Sequence, residues 1–354
     1  MAVAHDLIAK AEAQCNKVFG GRHDSGETGS TMASRSRTVT GLLWTLTLVL
    51  VALNGGTMTA EWSWPGDMVT FFQPQLALAA LLVLGLALLL RRWLPSLLLA
   101  IVLAVAAYPL FFTSAPLAAS AATSNLRILS ANVLFDNPQP ERFADVVAEL
   151  APDIIVTQEA RYEWPRVLRA LPGYPYLVGP QQYRWNSNLV VSRYPMRARM
   201  VPDMPPSGLA LGGGLALRVE VDVPGRDRPL VIYAAHAPTP RTLAGWEARN
   251  LYLDTLAERI AAEPEGTEVI LAADWNTPVW SPAYPRTLFL SGLEATERSA
   301  WPAATRLFAT IFGINIGTPI DHIAISRGIG VKDHFLGPNY GSDHLPVVVD
   351  LELS

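Results

Sequence analysis

The chain is 354 residues long, more than one ordinary domain, with 31 acidic and 27 basic side chains and a formal net charge of −4. Half of its residues are hydrophobic and only 16% are charged, an apolar excess that a wholly water-exposed protein does not carry. The weak negative charge argues against a protein that holds nucleic acid mainly by charge, and the single cysteine, Cys15, excludes an intramolecular disulfide.

Residues 1–37 are polar and mixed in charge, and His23–Ser30 is predicted to be unstructured. Between residues 38 and 113 the only charged side chains are Glu61, Asp67, Arg91 and Arg92. Three apolar runs fill this stretch, roughly Val39–Asn54, Pro74–Leu90 and Leu94–Phe112. Each comes near the ~17–20 residues that cross a bilayer as a helix. None shows a polar face at helical spacing, as helices on the surface of a soluble core would. Trp62, Trp64, Phe71 and Phe72 fall where an interfacial aromatic belt would sit.

Arg35 and Arg37 precede the first run, Arg91 and Arg92 fill the turn between the second and third, and the first loop carries no base. Positively charged loops stay on the cytoplasmic side, which places the amino terminus and Arg91–Arg92 inside. Three crossings then deliver everything after residue 113 to the outside. The expected organisation is a cytoplasmic tail over 1–37, a three-helix anchor in the cell membrane over 38–113, a short tether, and an extracytoplasmic domain over 124–354.

That domain alternates strands and helices. Leu126–Asn132, Asp153–Glu159, Asn188–Ser192, Leu215–Val221 and Pro229–His236 read as strands, followed later by Ile320–Ser326 and Leu345–Leu353. Glu141–Leu150 reads as an amphipathic helix. Arg241–Ala262 reads as the longest helix, with Leu243, Trp246, Leu251, Leu253, Leu256 and Ile260 on its apolar face. The run Ile270–Asn276, bounded by Pro264–Glu265–Gly266 and Thr277–Pro278, reads as a buried strand. Its end carries Asp274 and Asn276 at i and i+2, which strand geometry turns to one side.

Polar chemistry gathers at such strand ends: Asn132, Glu159, His236, Asp274, Asn276, Asp321, Asp343 and His344. Strand ends are rigid mounts for a site. Several carboxylates facing one cavity repel unless a hard cation sits among them. Oxygen donors without cysteine favour Mg²⁺ or Mn²⁺.

In this order the motifs resemble those of the endonuclease/exonuclease/phosphatase superfamily, whose fold is DNase I-like. Ser130–Ala131–Asn132–Val133 is similar to its first block, Gln158–Glu159 to its acidic block, Ser192–Arg193–Tyr194–Pro195 to a structural block and His236–Ala237–Pro238 to its histidine block. Ala273–Asp274–Trp275–Asn276 resembles the Gly-Asp-Phe-Asn block, Ile320–Asp321–His322–Ile323 the Leu-Asp-Tyr-Ile block, and Ser342–Asp343–His344 the terminal Ser-Asp-His block. Ala273 replaces a Gly. His322 stands where the family often has Tyr and is read as a packed histidine.

The resemblance implies a four-layer α/β/β/α sandwich, here preceded by three transmembrane helices. It implies hydrolysis of a phosphoester by in-line attack of water, with Glu159 as the main Mg²⁺ ligand and Asn132 and Asp343 completing the metal site. His344 is the acid/base histidine held by Asp321, and Asp274 competes with it for water activation. His236 and Asn276 donate to phosphate oxygens. Arg193 is read as structural, His334 as a surface residue, and Tyr183, Arg184 and Trp185 as either a groove rim or a loop tip. Three functions stay open: a phosphoesterase acting on a lipid-linked or membrane-proximal envelope phosphate, an extracytoplasmic nuclease, and a non-catalytic phosphate-binding module. The partners are then the phosphate ester and the bilayer; no protein partner is inferred.

Overall fold

A computed structural model describes residues 25–179, 188–206 and 211–354, with side chains from residue 37 onward. Tyr183, Arg184 and Trp185 lie outside the described residues. Four helices come first: α1 (Ser25–Thr57), α2 (Trp64–Thr70), α3 (Gln73–Leu89) and α4 (Trp93–Phe111). Ser25–Ser30, expected to be unstructured, is helical, because extending a helix already nucleated by an apolar run costs little per residue. Arg37–Thr57 and α4 are each long and apolar enough to cross a membrane. The middle run differs from the expectation of a single straight span: α2 and α3 meet at a 76° bend, so there are three such elements only if the bent pair counts as one. The bend falls at Phe71–Phe72 ahead of Gln73–Pro74, where proline is tolerated only in the first turn of the next helix.

The following segment is built from β1 (Leu126–Asn132), α5 (Arg142–Leu150), β2 (Ile154–Gln158), α6 (Trp164–Arg169), β3 (Tyr176–Val178), β4 (Leu189–Ser192), β5 (Met196–Met200), β6 (Gly214–Val221) and β7 (Leu230–His236). After them come α7 (Leu243–Ala261), β8 (Val269–Asp274), α8 (Ala283–Ser291), β9 (Leu293–Ala295), β10 (Arg306–Ile311), β11 (Ile314–Thr318), β12 (Asp321–Ser326), β13 (Gly330–Leu336) and β14 (Val347–Glu352). One six-stranded sheet runs β13-β14-β1-β2-β4-β3 and the other β5-β6-β7-β8-β12-β9. Strands β10 and β11 form a separate hairpin.

Alternation along the strands explains the layering. Ile128, Val156, Ile232, Ile270, Ile323 and Val349 meet between the two sheets in one dry core. Their odd-numbered or even-numbered neighbours face out. Leu129, Ile155 and Val348 pack under α5 and α6, where Phe143, Val146, Val147 and Leu150 repeat at helical spacing. Val231, Leu271 and Ala273 pack under α7 and α8.

The buried stripe of α7 is Gly245, Ala248, Arg249, Tyr252, Leu253, Leu256 and Ile260. This corrects the apolar face expected from sequence, since Leu243 and Leu251 are exposed and Arg249 is fully buried.

Candidate active site

The inward-facing row of each strand is apolar at one end of the sandwich and polar at the other. Ile128 is followed at the same parity by Ser130 and Asn132, Val156 by Gln158, Ile232 by Ala234 and His236, and Ile270 by Ala272 and Asp274. Pairing then sets the site. Parallel β7–β8 puts His236 beside Asp274, and antiparallel β8–β12 puts Asp321 on its other side. Parallel β1–β2 aligns Asn132 with Gln158 in the opposite sheet.

Glu159 and Asn276, just past the ends of β2 and β8, both adopt left-handed backbone (φ 57° and 48°). Asn tolerates this conformation. Glu does not do so readily, and a non-glycine residue held there costs about 1–3 kcal/mol. The turn presents the Glu159 carboxylate to Asn132, whose Nδ2 donates to Glu159 Oε1 (3.1 Å) and across the sandwich to Asp274 Oδ2 (3.0 Å). His236 Nε2 lies 3.5 Å from Asp274 Oδ2 and 3.9 Å from Glu159 Oε1.

His344 arrives from the loop before β14. The Asn132 carbonyl accepts from Tyr340 Oη and Ser342 Oγ, both at 2.8 Å, and the His344 amide donates to Ser342 Oγ at 3.0 Å. Its Nδ1 sits 2.8 Å from Asp321 Oδ2. Ile320 and Asp321 amides both donate to Thr305 Oγ1, which fixes the carboxylate's backbone.

Burial and neighbouring charges act against each other here. Burial disfavours the His344 imidazolium, but Asp321 and then Asp274 outweigh it and push the ring up to about 9. Asp321 is held below its ordinary value because His344 overcomes its burial. Asp274 is raised by burial and by the adjacent Asp321. Glu159 is lowered, since His236, the Asn132 amide and His344 outweigh its burial. His322, on the outer face of β12, is a packed histidine: its Nε2 lies 2.8 Å from the Thr277 carbonyl, Trp275 and Tyr284 pack against it, and burial drives it down to about 4.

The residues named from sequence therefore converge, with two qualifications. Asp343 stands at the rim, paired to Arg306 (Nη2–Oδ2 3.0 Å), outside the inner acidic group. Asn276 spends one amide N–H on the Ala237 carbonyl (2.9 Å) and keeps one for a ligand. His334 is not the surface residue expected: on β13 its Nδ1 meets Thr296 Oγ1 at 3.0 Å and Nε2 lies 3.5 Å from Glu297. Its strand interrupts Val331, Phe335 and Leu336 with Lys332 and Asp333, and so lacks the run of apolar residues that reveals a strand in sequence.

Three arginines were missed. Arg161, Arg241 and Arg306 line the same cleft of about 320 Å³ with Glu159, His236, Asp274 and His344. The Arg161 guanidinium lies over the Phe135 ring, 5.8 Å from its centroid. Single arginines in loops or, like Arg306, at the start of a strand carry no sequence signal of their own, and only the fold collects them.

A divalent cation fits this donor set. Glu159 and Asp274 are bridged through the Asn132 amide, Asp321 pairs beside Asp274, and the buried Oδ1 of Asp321 has no hydrogen-bond partner among the described residues. Hard oxygen donors in this number suit Mg²⁺ or a similar ion.

The molecule is a two-sheet α/β sandwich with acids and histidines at one end of its core, and comparisons say which family has this arrangement. The sequence model of the Endonuclease/Exonuclease/phosphatase family matches residues 129–344, and the chain belongs to that family, whose members are hydrolases acting on phosphoester bonds. Among solved structures it is similar to an endonuclease/exonuclease/phosphatase from Beutenbergia cavernae (22% identity, TM-score 0.50, 65% of this chain and 72% of that one). It is also similar to a conserved protein of unknown function from Enterococcus faecalis (13% identity, TM-score 0.51, 65% and 100%). A third is D. rerio TDP2 complexed with a single-strand DNA product (16% identity, TM-score 0.50, 64% and 98%). These likenesses show the fold. No curated protein matches the chain in sequence.

Proposed function

We propose that the protein is a membrane-anchored, Mg²⁺-dependent phosphoesterase whose catalytic domain faces away from the cytoplasm and hydrolyses a lipid-linked or membrane-proximal phosphate ester. The cleft carries this reading: carboxylates and histidines form its floor and three arginines its wall. Glu159 would hold the cation with Asn132 beside it, and the bound ion would neutralise charge developing on the phosphoryl and leaving oxygens.

The chain's own residues divide the remaining work. Arg161, Arg241 and Arg306 bind the non-reacting phosphate oxygens. His344, charged at neutral pH, donates a proton from Nε2, because Nδ1 is committed to Asp321. Asp274, raised by burial and anchored through Oδ1 by the Asn276 amide at 2.8 Å, accepts the proton of the attacking water. His236 and the free N–H of Asn276 supply further donors.

The bilayer reading rests on what the first helices expose. Leu42, Leu82, Leu89 and Ile101 are all more than half exposed, and leaving each out of an apolar medium forgoes about 1.5–3 kcal/mol. The lipid-proximal substrate rests on the β10–β11 hairpin. Its tip holds Ile311, the fully exposed Phe312 and Ile314, and its base packs Phe308 against Phe72 of the anchor, ring centroids 5.7 Å apart. That base reaches the cleft through Arg306, and the Leu307 amide donates to the Asp343 carbonyl (2.8 Å).

Full-length protein in nanodiscs, given Mg²⁺ and a polyprenyl phosphate, a phospholipid, single-stranded DNA or an aryl phosphate diester, tests the proposal. Metal-dependent hydrolysis of the aryl diester and of a lipid phosphate is expected. Cleavage of DNA with no lipid turnover would remove the lipid reading in favour of a nuclease. Reporter fusions after residue 120 test the orientation.

A further inference from the structure

Arg249 is fully buried on the inward stripe of α7, and a guanidinium so placed is costly unless a carboxylate pairs with it. Among the described residues of the catalytic domain it donates hydrogen bonds to Asn250 Oδ1 (2.7 Å from Nη2) and the Asn276 carbonyl (3.3 Å from Nη1). Its carboxylate partner comes from the anchor: Asp67 of α2, Oδ2 at 2.5 Å from Nη2, itself 1% exposed. The same oxygen accepts from Trp246 Nε1 (2.9 Å), so the acid is committed to α7. Among the described residues neither has another opposite charge within ion-pair distance, and Asp254 acts on Arg249 only from further away.

We infer that the Asp67–Arg249 pair makes the anchor a working part of the cleft, positioning the Asn276 strand end rather than merely tethering the domain. The inference rests on the phosphoesterase reading above.

The anchor holds Asp67 stiffly. A Cβ on Gly66 would lie 2.4 Å from the Gly56 carbonyl and 2.6 Å from Thr59 Oγ1, so α2 packs backbone to backbone on the end of α1. Trp64 Nε1 donates to the Pro240 carbonyl at 3.0 Å, next to the cleft residue Arg241, and Glu61 pairs with Arg286 at 3.2 Å. On the other side, Arg249 grips the carbonyl of a residue in left-handed backbone whose amide orients Asp274 Oδ1. Three contacts thus run from the anchor to Asp274: Asp67 to Arg249, Arg249 to Asn276, Asn276 to Asp274. Arg249 is a positioning residue in this arrangement and touches no substrate.

The test uses full-length protein in detergent with Mg²⁺ and a soluble aryl phosphate diester, so that lipid delivery plays no part. Asp67→Ala combined with Arg249→Met removes both charges and leaves neither one stranded. Its kcat is expected to fall at least about tenfold with KM nearly unchanged, as a small misplacement of reacting groups does. Hydrogen exchange in the peptide spanning residues 274–278 is expected to quicken while the melting temperature stays close to that of the unaltered protein. Wild-type kcat and exchange in the double variant would reduce the pair to a docking contact and overturn the inference. Where that variant does not assemble, Asp67→Glu keeps the charge and shifts it by one methylene; an unchanged kcat there overturns the inference equally. If the unaltered protein hydrolyses neither an aryl phosphate diester nor an aryl phosphate monoester with any divalent ion, the phosphoesterase reading itself fails and this inference with it.

Discussion

Replacing Asp321 with Asn removes the charge that keeps His344 protonated while preserving its shape. The two groups lie 2.8 Å apart in a nearly dry setting, where burial alone would drive the imidazole neutral. Asp321, followed by Asp274 and Asp343, reverses that and lifts the ring from 6.5 to about 9, a change corresponding to roughly 3 kcal/mol. In Asp321→Asn the largest opposing charge is gone, so burial drives the ring down and the fraction able to donate at pH 7 falls. The pH–rate profile on a soluble phosphate diester reads this directly. The unaltered enzyme should hold its rate until the pH nears 9 and lose it above, and in the variant this alkaline limb should move to lower pH. Its kcat should fall about 10²–10⁴-fold, the range for a lost acid/base group. Stability follows the same sign: the folded-state value is raised, so the contribution is complete below pH 6.5 and disappears as pH climbs through about 9. An Asp321→Asn protein with the parental alkaline limb and near-parental kcat would refute this reasoning.

His322 predicts the opposite limb. Its value is lowered to about 4, so its contribution to stability is present above pH 6.5 and is lost as pH falls toward 4; His322→Phe should flatten acid unfolding in that window. Asn132→Ala leaves Glu159 and Asp274 without their shared donor, and the metal-free protein should lose about 1–3 kcal/mol in denaturant unfolding. Paired substitutions Phe312→Asp and Ile314→Asp at the hairpin tip should cut turnover of a lipid phosphate at least about tenfold, a small part of the apolar transfer energy of two such side chains. Soluble diester turnover by the same variant should be unchanged; equal losses on both substrates would contradict a lipid-contacting tip.

Much of this was legible in the sequence because strand parity leaves a plain trace. Asp274 follows Ile270 and Ala272 at the same parity, so an acid at the core's end was readable from spacing, as was His236; Glu159 falls on the outward parity of Ile155 and Thr157 and is brought to the site by its left-handed turn. Elements without an apolar alternation were not. β5 and β10 expose most of their side chains, β13 breaks its apolar residues with Lys332 and Asp333, and α6 spans only six residues, so none of these stood out. The buried face of α7 was misjudged for a different reason. Leu243, Trp246 and Leu251 outweigh Arg249 in hydrophobicity, although Ala248, Arg249, Tyr252, Leu253 and Leu256 fall at better helical spacing. An arginine in that stripe signals a buried counter-charge, but its partner stands 182 positions away, beyond the reach of any local pattern. The cleft arginines were invisible for the same reason of distance.

The central claim is that these strand ends form one metal-dependent phosphoester cleft, and a single measurement addresses it most directly. Full-length protein and its Glu159→Gln variant are stripped with chelator, then titrated with Mg²⁺ while hydrolysis of an aryl phosphate diester is followed. The account predicts that Mg²⁺ restores turnover to the unaltered protein in a saturable manner, and that the variant stays at least about a hundredfold slower at every concentration. Turnover that persists in chelator, or a Glu159→Gln protein with an undiminished Mg²⁺-dependent rate, would contradict it.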